Sequence, residues 1–501
     1  MQGLKPIRVR KEEEEEKKEE GEPLSPVARI FHESHSNAYI TVFMGFKTPV
    51  NLTIFKANIT KTLLKHPRLS SLQVMDEKRG GEMKWVKTEI NLDDHIIVPV
   101  IDHQNIDCPD KFVEDYASNL SKTQISKSKP MWDFHFLNIK TSEAESTVIF
   151  RVHHSIGDGI SLMSLLISFS RKASDLESLP TIPTVKKRYE KNSGGGFRQF
   201  LERLWRFLVL CWNTFVGLVM IIATVLFLED TETPIKGSGD GSVPRRFVHR
   251  TISLDDVKSV KNAMGTTVND VMVGITQAGL SQYLNRRYAK LLNVKDTYAE
   301  EDKKEGEATK SKSYLPKNIR MRASFIVNLR KDSGIQALDE MMRKGTKAKW
   351  GNKVGYVLYP FTIKLRDDPL DYVRDAKVVG ERKKASLEAL YAYLGNRFLL
   401  RFFGIKKFGL PSQTTLCFSS VPGPQEEISF YEHPMSYIAP TCYGQPNALL
   451  IHVVSYVNKM KIVLSVDENI IPDPHQLCDD IQNSLKLIKN SLIAKGLLAD
   501  S

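Results

Sequence analysis

Two adjacent histidines are the residues of this sequence best suited to chemistry. His153 and His154 are followed, four residues after the second, by Asp158 and then by Gly159. Imidazole is the side chain whose ordinary pKa lets it accept a proton and return it near neutral pH, and a nearby carboxylate can orient the ring. The spacing therefore indicates general acid–base chemistry. The alternative is structural: Asp158 caps the helix that follows, and the histidines fill space.

The residues on either side predict that this cluster lies between a strand and a helix. Thr147–Val152 is rich in β-branched and aromatic residues, which is typical of a buried strand. From Ile160 to Ile167, apolar residues recur at helical spacing. A loop directly after a buried strand presents its side chains rigidly to a cleft, and Gly157 and Gly159 allow a tight backbone path there.

Other catalytic and metal-binding motifs are absent from the sequence. It contains no Gly-Lys dipeptide, hence no P-loop, and neither a Gly-x-Ser-x-Gly nor a His-Glu-x-x-His pattern. Adjacent histidines point to opposite sides of a strand, so His153 and His154 are poorly placed to share a metal ion, and no metal site is predicted. The 5 cysteines are scattered without a Cys-x-x-Cys pair, which predicts reduced thiols in a cytosolic compartment.

Composition and charge are those of a folded, basic protein. Of 501 residues, 41% are hydrophobic and 26% are charged, which excludes wholesale disorder and predicts two or three domains. The net charge of +12 suits an anionic partner such as nucleic acid, an anionic membrane surface or a phosphorylated substrate; the alternative is a solubilising surface excess. Residues 1–22 hold a charge block and no apolar run, which predicts a disordered tail and no secretory signal.

Strands and helices alternate in both halves of the chain, which predicts an α/β protein with two lobes. Linker-like composition at Pro180–Gly196 and Gly237–Pro244 predicts an N-terminal lobe at 23–180, a linker at 181–245 and a C-terminal lobe at 246–501. Helices are predicted at Leu52–Leu64, Lys111–Ser121, Leu254–Met264, Asn269–Leu284 and Pro474–Ile488. Strands are predicted at Met83–Val86, Ile96–Val100, Ala323–Val327, Tyr356–Tyr359, Thr414–Phe418, Leu449–Tyr456 and Lys461–Val466, and a solvated loop at Asp296–Lys312.

An uncharged apolar segment, Phe207–Leu228, lies in the predicted linker. Its 22 residues would form a helix of roughly 33 Å, enough to cross the hydrocarbon core of a bilayer. Seven basic residues precede it between Lys186 and Arg206, whereas Glu229 and Asp230 follow it, and this asymmetry would place its N-terminal side in the cytoplasm. The alternative is a buried core helix.

The histidine cluster and several other segments resemble the wax ester synthase/diacylglycerol acyltransferase family, most closely its plant branch. His153-His154-x-x-x-Asp158-Gly159 matches the HHxxxDG signature of that family. Further segments that agree, in the same order along the chain, are Pro23-Leu24-Ser25-Pro26, His66-Pro67-Arg68, Pro130-Met131-Trp132-Asp133, Asn269-Asp270-Val271-Met272, Asn328-Leu329-Arg330, Gly351-Asn352 and Ser420-Val421-Pro422-Gly423-Pro424. The last segment departs from the family's usual Asn-Val-Pro-Gly-Pro.

The resemblance implies a chloramphenicol acetyltransferase-like fold, with two lobes around a tunnel, and transfer of an acyl group from acyl-CoA to a long-chain alcohol or to diacylglycerol. By position, His154 would be the general base and Asp158 an orienting residue, while His153 is open between packing and catalysis. Asn269 is the candidate oxyanion donor, with a helix N-cap as its alternative, and Gly159 is a candidate substrate-binding residue. Acyl-CoA would be a co-substrate; no cofactor and no nucleic-acid partner are implied, and the oligomeric state is left open.

The fold implied by the resemblance restricts how the apolar segment meets a membrane. A single crossing would put His154 and Asn269 on opposite sides of the bilayer, although both lobes must close on one tunnel. We therefore expect 207–228 to be an interfacial or re-entrant anchor, with both lobes cytoplasmic, at the endoplasmic reticulum or the plasma membrane. Wax ester formation is the favoured function, triacylglycerol formation is its near alternative, and a non-catalytic lipid-binding or tethering protein is the alternative from another class.

Overall fold

The computed structural model describes residues 21–33, 36–76, 82–180, 197–292, 312–330, 350–403 and 413–499. The predicted tail at 1–22, except its last two residues, lies outside these ranges. So do residues 181–196 of the predicted linker and the predicted loop at Asp296–Lys312, except Lys312 itself.

Strands and helices alternate along the described chain, so the α/β class is confirmed. The strands are β1 (Glu22–Pro23), β2 (Tyr39–Phe46), β3 (Ser71–Asp76), β4 (Glu82–Lys87), β5 (Ile96–Ile97), β6 (Trp132–Leu137), β7 (Ser146–His153), β8 (Ser170–Lys172), β9 (Arg246–Ser253), β10 (Met321–Asn328), β11 (Val354–Phe361), β12 (Leu416–Val421), β13 (Ile428–Phe430), β14 (His433–Tyr443), β15 (Leu449–Tyr456) and β16 (Lys459–Val466). The α-helices are α1 (Pro26–Ile30), α2 (Leu52–Lys61), α3 (Pro109–Ser121), α4 (Gly159–Phe169), α5 (Phe197–Leu226), α6 (Leu254–Ala263), α7 (Val268–Leu291), α8 (Leu370–Lys384), α9 (Glu388–Phe403) and α10 (Pro474–Ala494).

The larger of the two main sheets joins strands from both halves of the chain. Its order is β5-β6-β7-β2-β14-β13-β8. Strand β14 runs antiparallel to β2, with Cys442 opposite Ile40, and pairs the edge of β2 that β7 leaves open. The predicted C-terminal lobe at 246–501 therefore needs one correction, because β13 and β14 lie within that range but belong to the N-terminal sheet.

The other main sheet carries a separate core on its outer face. Its order is β11-β10-β12-β15-β16-β9, and helices α6, α7, α8 and α10 contribute to the core on that face. Phe418 and Ile451 belong to this core, whereas their neighbours Cys417 and Leu450 belong to the core shared with the N-terminal lobe. This alternation is the two-residue period of a strand, and it shows that the inner face of the sheet looks toward the first lobe.

The junction predicted around the histidines is present. Strand β7 ends at His153 and helix α4 begins at Gly159, so the motif occupies the connection between them. Asp158 is the N-cap of α4, where its Oδ1 accepts a hydrogen bond of 2.9 Å from the Ser161 amide. The chain is thereby fixed on both sides of the motif.

The predicted apolar segment forms most of helix α5, which begins earlier than expected, at Phe197. Within the described ranges, α5 is the one helix whose length and composition would suffice to cross a membrane, with a mean hydropathy of 2.2 in its most apolar window. Only 17% of that window is buried, so the alternative of a buried core helix does not fit.

Candidate active site

The motif faces a cavity that is built from both main sheets. His154 and Asp158 line it from the N-terminal side, and Ile326, Tyr356 and His452 line it from strands of the second sheet. Its empty volume is about 1130 Å³, including the open space at its mouth. A cavity shared in this way forms only when both lobes lie on the same side of any membrane.

His154 is half-buried, and its ring orientation is fixed by two neighbours. The ring stacks on Phe31 at 4.1 Å between centroids, and its Nδ1 lies 3.2 Å from Oδ1 of Asn352. Asn352 Nδ2 donates to the His154 carbonyl at 2.9 Å, so the amide oxygen is the atom that faces Nδ1. An amide oxygen only accepts; Nδ1 therefore carries the proton, and Nε2 is left with a free lone pair in the neutral ring.

The charge state of His154 suits a base. Burial disfavours the charged imidazolium and lowers the pKa of His154, while the contacts with its own backbone, Asp158 and Asn352 raise the pKa by less. The ring is therefore neutral near pH 7. Its unprotonated Nε2 can take a proton from a group in the cavity.

His153 is placed differently from its neighbour. It is fully buried, and its Nε2 lies 2.8 Å from the Phe31 carbonyl while its Nδ1 lies 2.6 Å from Ser155 Oγ. Both ring nitrogens are thus engaged by protein atoms, and burial holds the pKa of His153 well below its usual value. Of the two readings left open by the sequence, this arrangement fits packing.

Asp158 ties the motif to the C-terminal half of the chain. Its Oδ2 lies 2.8 Å from Nη1 of Arg330 and accepts a 2.9 Å hydrogen bond from the Lys353 amide, while its Oδ1 caps α4. Arg330 also donates to Ser161 Oγ at 3.0 Å. With both oxygens engaged, the carboxylate is arranged as an orienting group and not as a proton carrier.

Two glycines of the motif have different surroundings. A Cβ at Gly157 would lie 3.2 Å from Cβ of Ser161 and 3.3 Å from the Trp350 ring, which is tight. A Cβ at Gly159 would meet only Val421, at an ordinary 3.6 Å. Gly159 lines the cavity beside His154 at the start of α4, where the first amide groups of a helix have no intrahelical acceptor.

The structure does not bring Asn269 to His154. Asn269 is the second residue of α7 and lines another cavity, together with Phe325 and Val327 of β10. The intervening Ile326 of the same strand lines the cavity of His154, so the second sheet separates the two sites. The expected oxyanion role of Asn269 at this site therefore needs correction.

The N-cap alternative for Asn269 is also corrected by the structure. Thr267 is the N-cap of α7, and its hydroxyl and the carboxylate of Asp270 form a reciprocal capping box. Thr267 has the side-chain oxygen that this position requires, and it lies two residues before Asn269.

A second, apolar cavity adjoins the first. The two share Ile40, Gly159, Val421 and Pro440 in their walls. The remaining lining of the second is apolar and includes Leu162 and Met163 of α4, around an empty volume of about 600 Å³. The cavity lined by His154 thus adjoins, at Gly159, a space suited to a hydrocarbon chain.

Sequence reasoning missed Asn352 and Arg330 as site residues. Both lie in segments that carried the family resemblance, Gly351-Asn352 and Asn328-Leu329-Arg330, and that was the signal that could have assigned them a role. Among the described residues there is no group of three or more His, Cys, Asp or Glu side chains placed to hold a metal ion.

Fold and site together define a two-lobe acyltransferase of the chloramphenicol acetyltransferase-like class. The family model for the wax ester synthase/diacylglycerol acyltransferase catalytic domain matches residues 49–272 of the sequence. The family model for the WS/DGAT C-terminal domain matches residues 350–489. The chain belongs to the wax ester synthase/diacylglycerol acyltransferase family and is an acyltransferase.

Individual proteins agree with this assignment. The chain is 43% identical to wax ester synthase/diacylglycerol acyltransferase 11 of Arabidopsis thaliana, over 95% of this chain and 96% of the relative. It is 44% identical to number 5 of the same series, over 96% of this chain and 95% of the relative. The solved wax ester synthase/diacylglycerol acyltransferase from Marinobacter aquaeolei VT8 shares the fold, with a TM-score of 0.56 at 14% identity, covering 94% of this chain and 99% of that one.

Proposed function

We propose that this enzyme transfers a fatty acyl group from acyl-CoA to a long-chain alcohol and so forms a wax ester, with His154 as the general base. The observation that carries the proposal is the neutral His154 ring, with Nε2 unprotonated, in a cavity that adjoins a second, apolar cavity. Its relatives in Arabidopsis thaliana are named for wax ester synthesis and diacylglycerol acylation, which supports an alcohol acceptor.

The base acts on the acceptor hydroxyl. As the alcohol oxygen attacks the thioester carbonyl, Nε2 of His154 takes its proton, and the C–O bond forms. Collapse of the tetrahedral intermediate breaks the C–S bond, and the imidazolium returns the proton to the departing CoA thiolate. The ring keeps its orientation throughout, because Nδ1–H is held by Asn352. General base catalysis of this kind is worth roughly 10²–10⁴-fold in rate.

The oxyanion of the intermediate needs hydrogen-bond donors. We place these donors at the beginning of α4, where Gly159 and Ile160 line the cavity and the first helical amides have no intrahelical acceptor. The absence of a side chain at Gly159 leaves room for the substrate at this point. Acyl-CoA serves as a co-substrate, and no metal or prosthetic group enters the reaction.

The alternative acceptor is diacylglycerol, which would yield triacylglycerol. The apolar cavity suits the hydrocarbon chain of either acceptor, so the choice between them is left to experiment. The test is a competition assay in which the purified protein receives labelled palmitoyl-CoA with equal amounts of hexadecanol and dioleoylglycerol. A majority of label in wax ester supports the proposal, a majority in triacylglycerol supports the alternative, and label in neither ester would refute the enzymatic proposal.

We further propose that the enzyme is anchored to the cytoplasmic face of the endoplasmic reticulum by α5, with both lobes in the cytoplasm. The support is that one cavity is lined from both lobes, which precede and follow α5 in the chain. The test is protease protection in sealed microsomes, with epitope tags at Gly3 and after Ser501. Digestion of both tags without detergent is expected, whereas protection of only the C-terminal tag would refute the anchor.

A further inference from the structure

The polar face of helix α5 is bound to the C-terminal lobe. Asn213 Nδ2 donates to the Ala385 carbonyl at 3.1 Å, and Thr214 Oγ1 accepts a 2.9 Å hydrogen bond from the Leu387 amide. Gly217, on the same face, lies against the fully buried carboxylate of Glu388. The three residues occupy positions i, i+1 and i+4, so one stripe of the helix faces the protein.

A second set of contacts fixes the other end of the helix. The buried Arg322 guanidinium donates to Thr224 Oγ1 and, at 2.7 Å, to the Leu228 carbonyl. It also forms an ion pair of 2.6 Å with Asp230, four residues after the end of the helix. Helix α5 is therefore held along the lobe over its C-terminal half, from Asn213 to Thr224, and a membrane that contacts this half also comes close to the neighbouring elements of the lobe.

Helix α9, which follows α8, is one of those neighbours. Its buried residues, Glu388, Ala389, Ala392 and Leu400, lie on one side. The opposite side carries a stripe of exposed apolar residues at helical spacing: Leu387 just before the helix, then Leu390, Tyr391, Leu394, Phe398 and Phe402. Phe398 and Phe402 are 56% and 65% exposed, which is unusual for phenylalanine in a folded lobe.

The exposed faces of α5 and α9 look in the same direction. Both helices pack on the same face of β11, where Tyr356 and Leu358 form a small core with Ala392 of α9 and with Met220 and Ile221 of α5. Since the two helices lie side by side on one sheet face, their opposite sides both turn away from the lobe. Most of the exposed large apolar side chains in the described ranges belong to this surface.

We propose that α5 and α9 together form a docking surface for a lipid bilayer, so that α9 is a second membrane-contacting element of the enzyme. The proposal rests on the proposed function, because a bilayer is the phase in which long-chain alcohols and diacylglycerols dissolve. The surface has the charge pattern of an interfacial helix pair: no charged residue occurs from Phe207 to Leu228, and the exposed Arg203, Arg206 and Arg397 lie at its margins.

The docking surface adjoins the catalytic cavity. Ile326 and Tyr356 line that cavity and also pack against the inner side of α5 and α9. These two side chains thus lie between the membrane-facing helices and the cavity that His154 lines. The proposal thus places the bilayer, in which the acceptor dissolves, next to the cavity that contains the base.

The proposal can be tested with a lipid-quenching experiment on the full chain. The two exposed cysteines, Cys108 and Cys211, are first replaced by serine. One new cysteine is then introduced in each of three proteins, as Ile222→Cys, Leu394→Cys or Leu487→Cys, and the new cysteine is labelled with bimane. Leu487 of α10 is the matched control, because it is a helical leucine with the same 44% exposure as Leu394. The proteins are reconstituted in phosphatidylcholine vesicles that contain nitroxide-labelled lipid.

We expect the labels on α5 and α9 to lose most of their emission and the control label on α10 to keep it. If Leu394→Cys behaves like Leu487→Cys while Ile222→Cys is quenched, α9 does not contact lipid and the proposal is refuted, although the α5 anchor stands. The proposal is also refuted if a second copy of the chain shields the label at position 394 from lipid. That outcome would be shown by a dimer that Leu394→Glu dissociates. Ester formation by the same preparations in detergent reports the proposed function separately.

A substitution experiment tests the same surface without labels. Leu394→Glu combined with Phe398→Glu should weaken partition into phosphatidylcholine vesicles by at least about tenfold, since two apolar side chains are worth more than the 1.4 kcal/mol that a tenfold change represents. Leu487→Glu should change partition by less than about twofold. Equal partition of the double variant and the control variant would contradict the proposal.

Discussion

Replacing Asn352 by alanine should slow acyl transfer while leaving acyl-CoA binding nearly unchanged. The change removes the acceptor 3.2 Å from His154 Nδ1 and the donor 2.9 Å from the His154 carbonyl. At about 1 kcal/mol for each neutral hydrogen bond, the loss is about 2 kcal/mol. If between half and all of this free energy stabilises the transition state, its loss lowers kcat about 5- to 30-fold, because each 1.36 kcal/mol is about tenfold in rate.

The assay measures initial rates of ester formation from labelled palmitoyl-CoA and hexadecanol, giving kcat and KM. Asn105→Ala is the matched control, because Asn105 is an exposed asparagine that does not line the cavity and whose Nδ2 donates a hydrogen bond to Asp102. Asn352→Asp adds a second readout: a carboxylate beside Nδ1–H would raise the pKa of His154 and move the acid limb of kcat/KM to higher pH. A kcat for Asn352→Ala within twofold of the wild type, at an unchanged melting temperature, would refute the assigned tautomer.

Further predictions concern the motif and the buried histidines. Burial lowers the pKa of His154, so the wild-type acid limb of kcat/KM should lie below pH 6.5, with activity lost as the pH falls through that pKa; an acid limb above pH 7 would contradict this. Asp158→Ala removes the carboxylate that pairs with the buried Arg330 side chain and should destabilise the fold by about 3–5 kcal/mol, whereas Asp158→Asn should destabilise it by less. An Asp158→Ala protein with a normal melting temperature and no activity would indicate a direct chemical role for Asp158. His153→Ala should lower the melting temperature but reduce kcat less than His154→Ala does; the reverse order of the two rates would exchange their roles. Burial also lowers the pKa of His66 to about 3 and of His452 to about 4. Below pH 6.5 the unfolded chain therefore binds protons at these histidines that the folded chain does not, and the melting temperature should fall between pH 7 and pH 5. A constant melting temperature would contradict this.

Local patterns predicted the elements around the motif well. The strand expected at Thr147–Val152 is β7, and the helix expected after Asp158 is α4, because a run of β-branched residues and a helical apolar period are properties of the local sequence. The apolar segment was located correctly for the same reason. The predicted strand Ile96–Val100 is shorter, Ile96–Ile97, since only these two residues pair with β6.

Long-range packing explains what the sequence did not predict. Whether β14 joins the N-terminal or the C-terminal sheet depends on the free edge of β2, nearly 400 residues earlier in the chain. Asn352 reaches His154 across 198 residues, and only the closure of the two lobes makes them neighbours. Asn269 was misplaced because the side of the second sheet on which α7 packs is set by the core with α8 and α10, not by the residues around Asn269.

The most direct test of the account is the single turnover of labelled palmitoyl-CoA with hexadecanol by His154→Ala, at pH 7.5 in detergent, with folding checked by the melting temperature. The account predicts that wax ester forms at least about 100-fold more slowly than in the wild type, because the proposed mechanism assigns the alcohol proton to His154 Nε2. A folded His154→Ala protein that forms ester at close to the wild-type rate would contradict it.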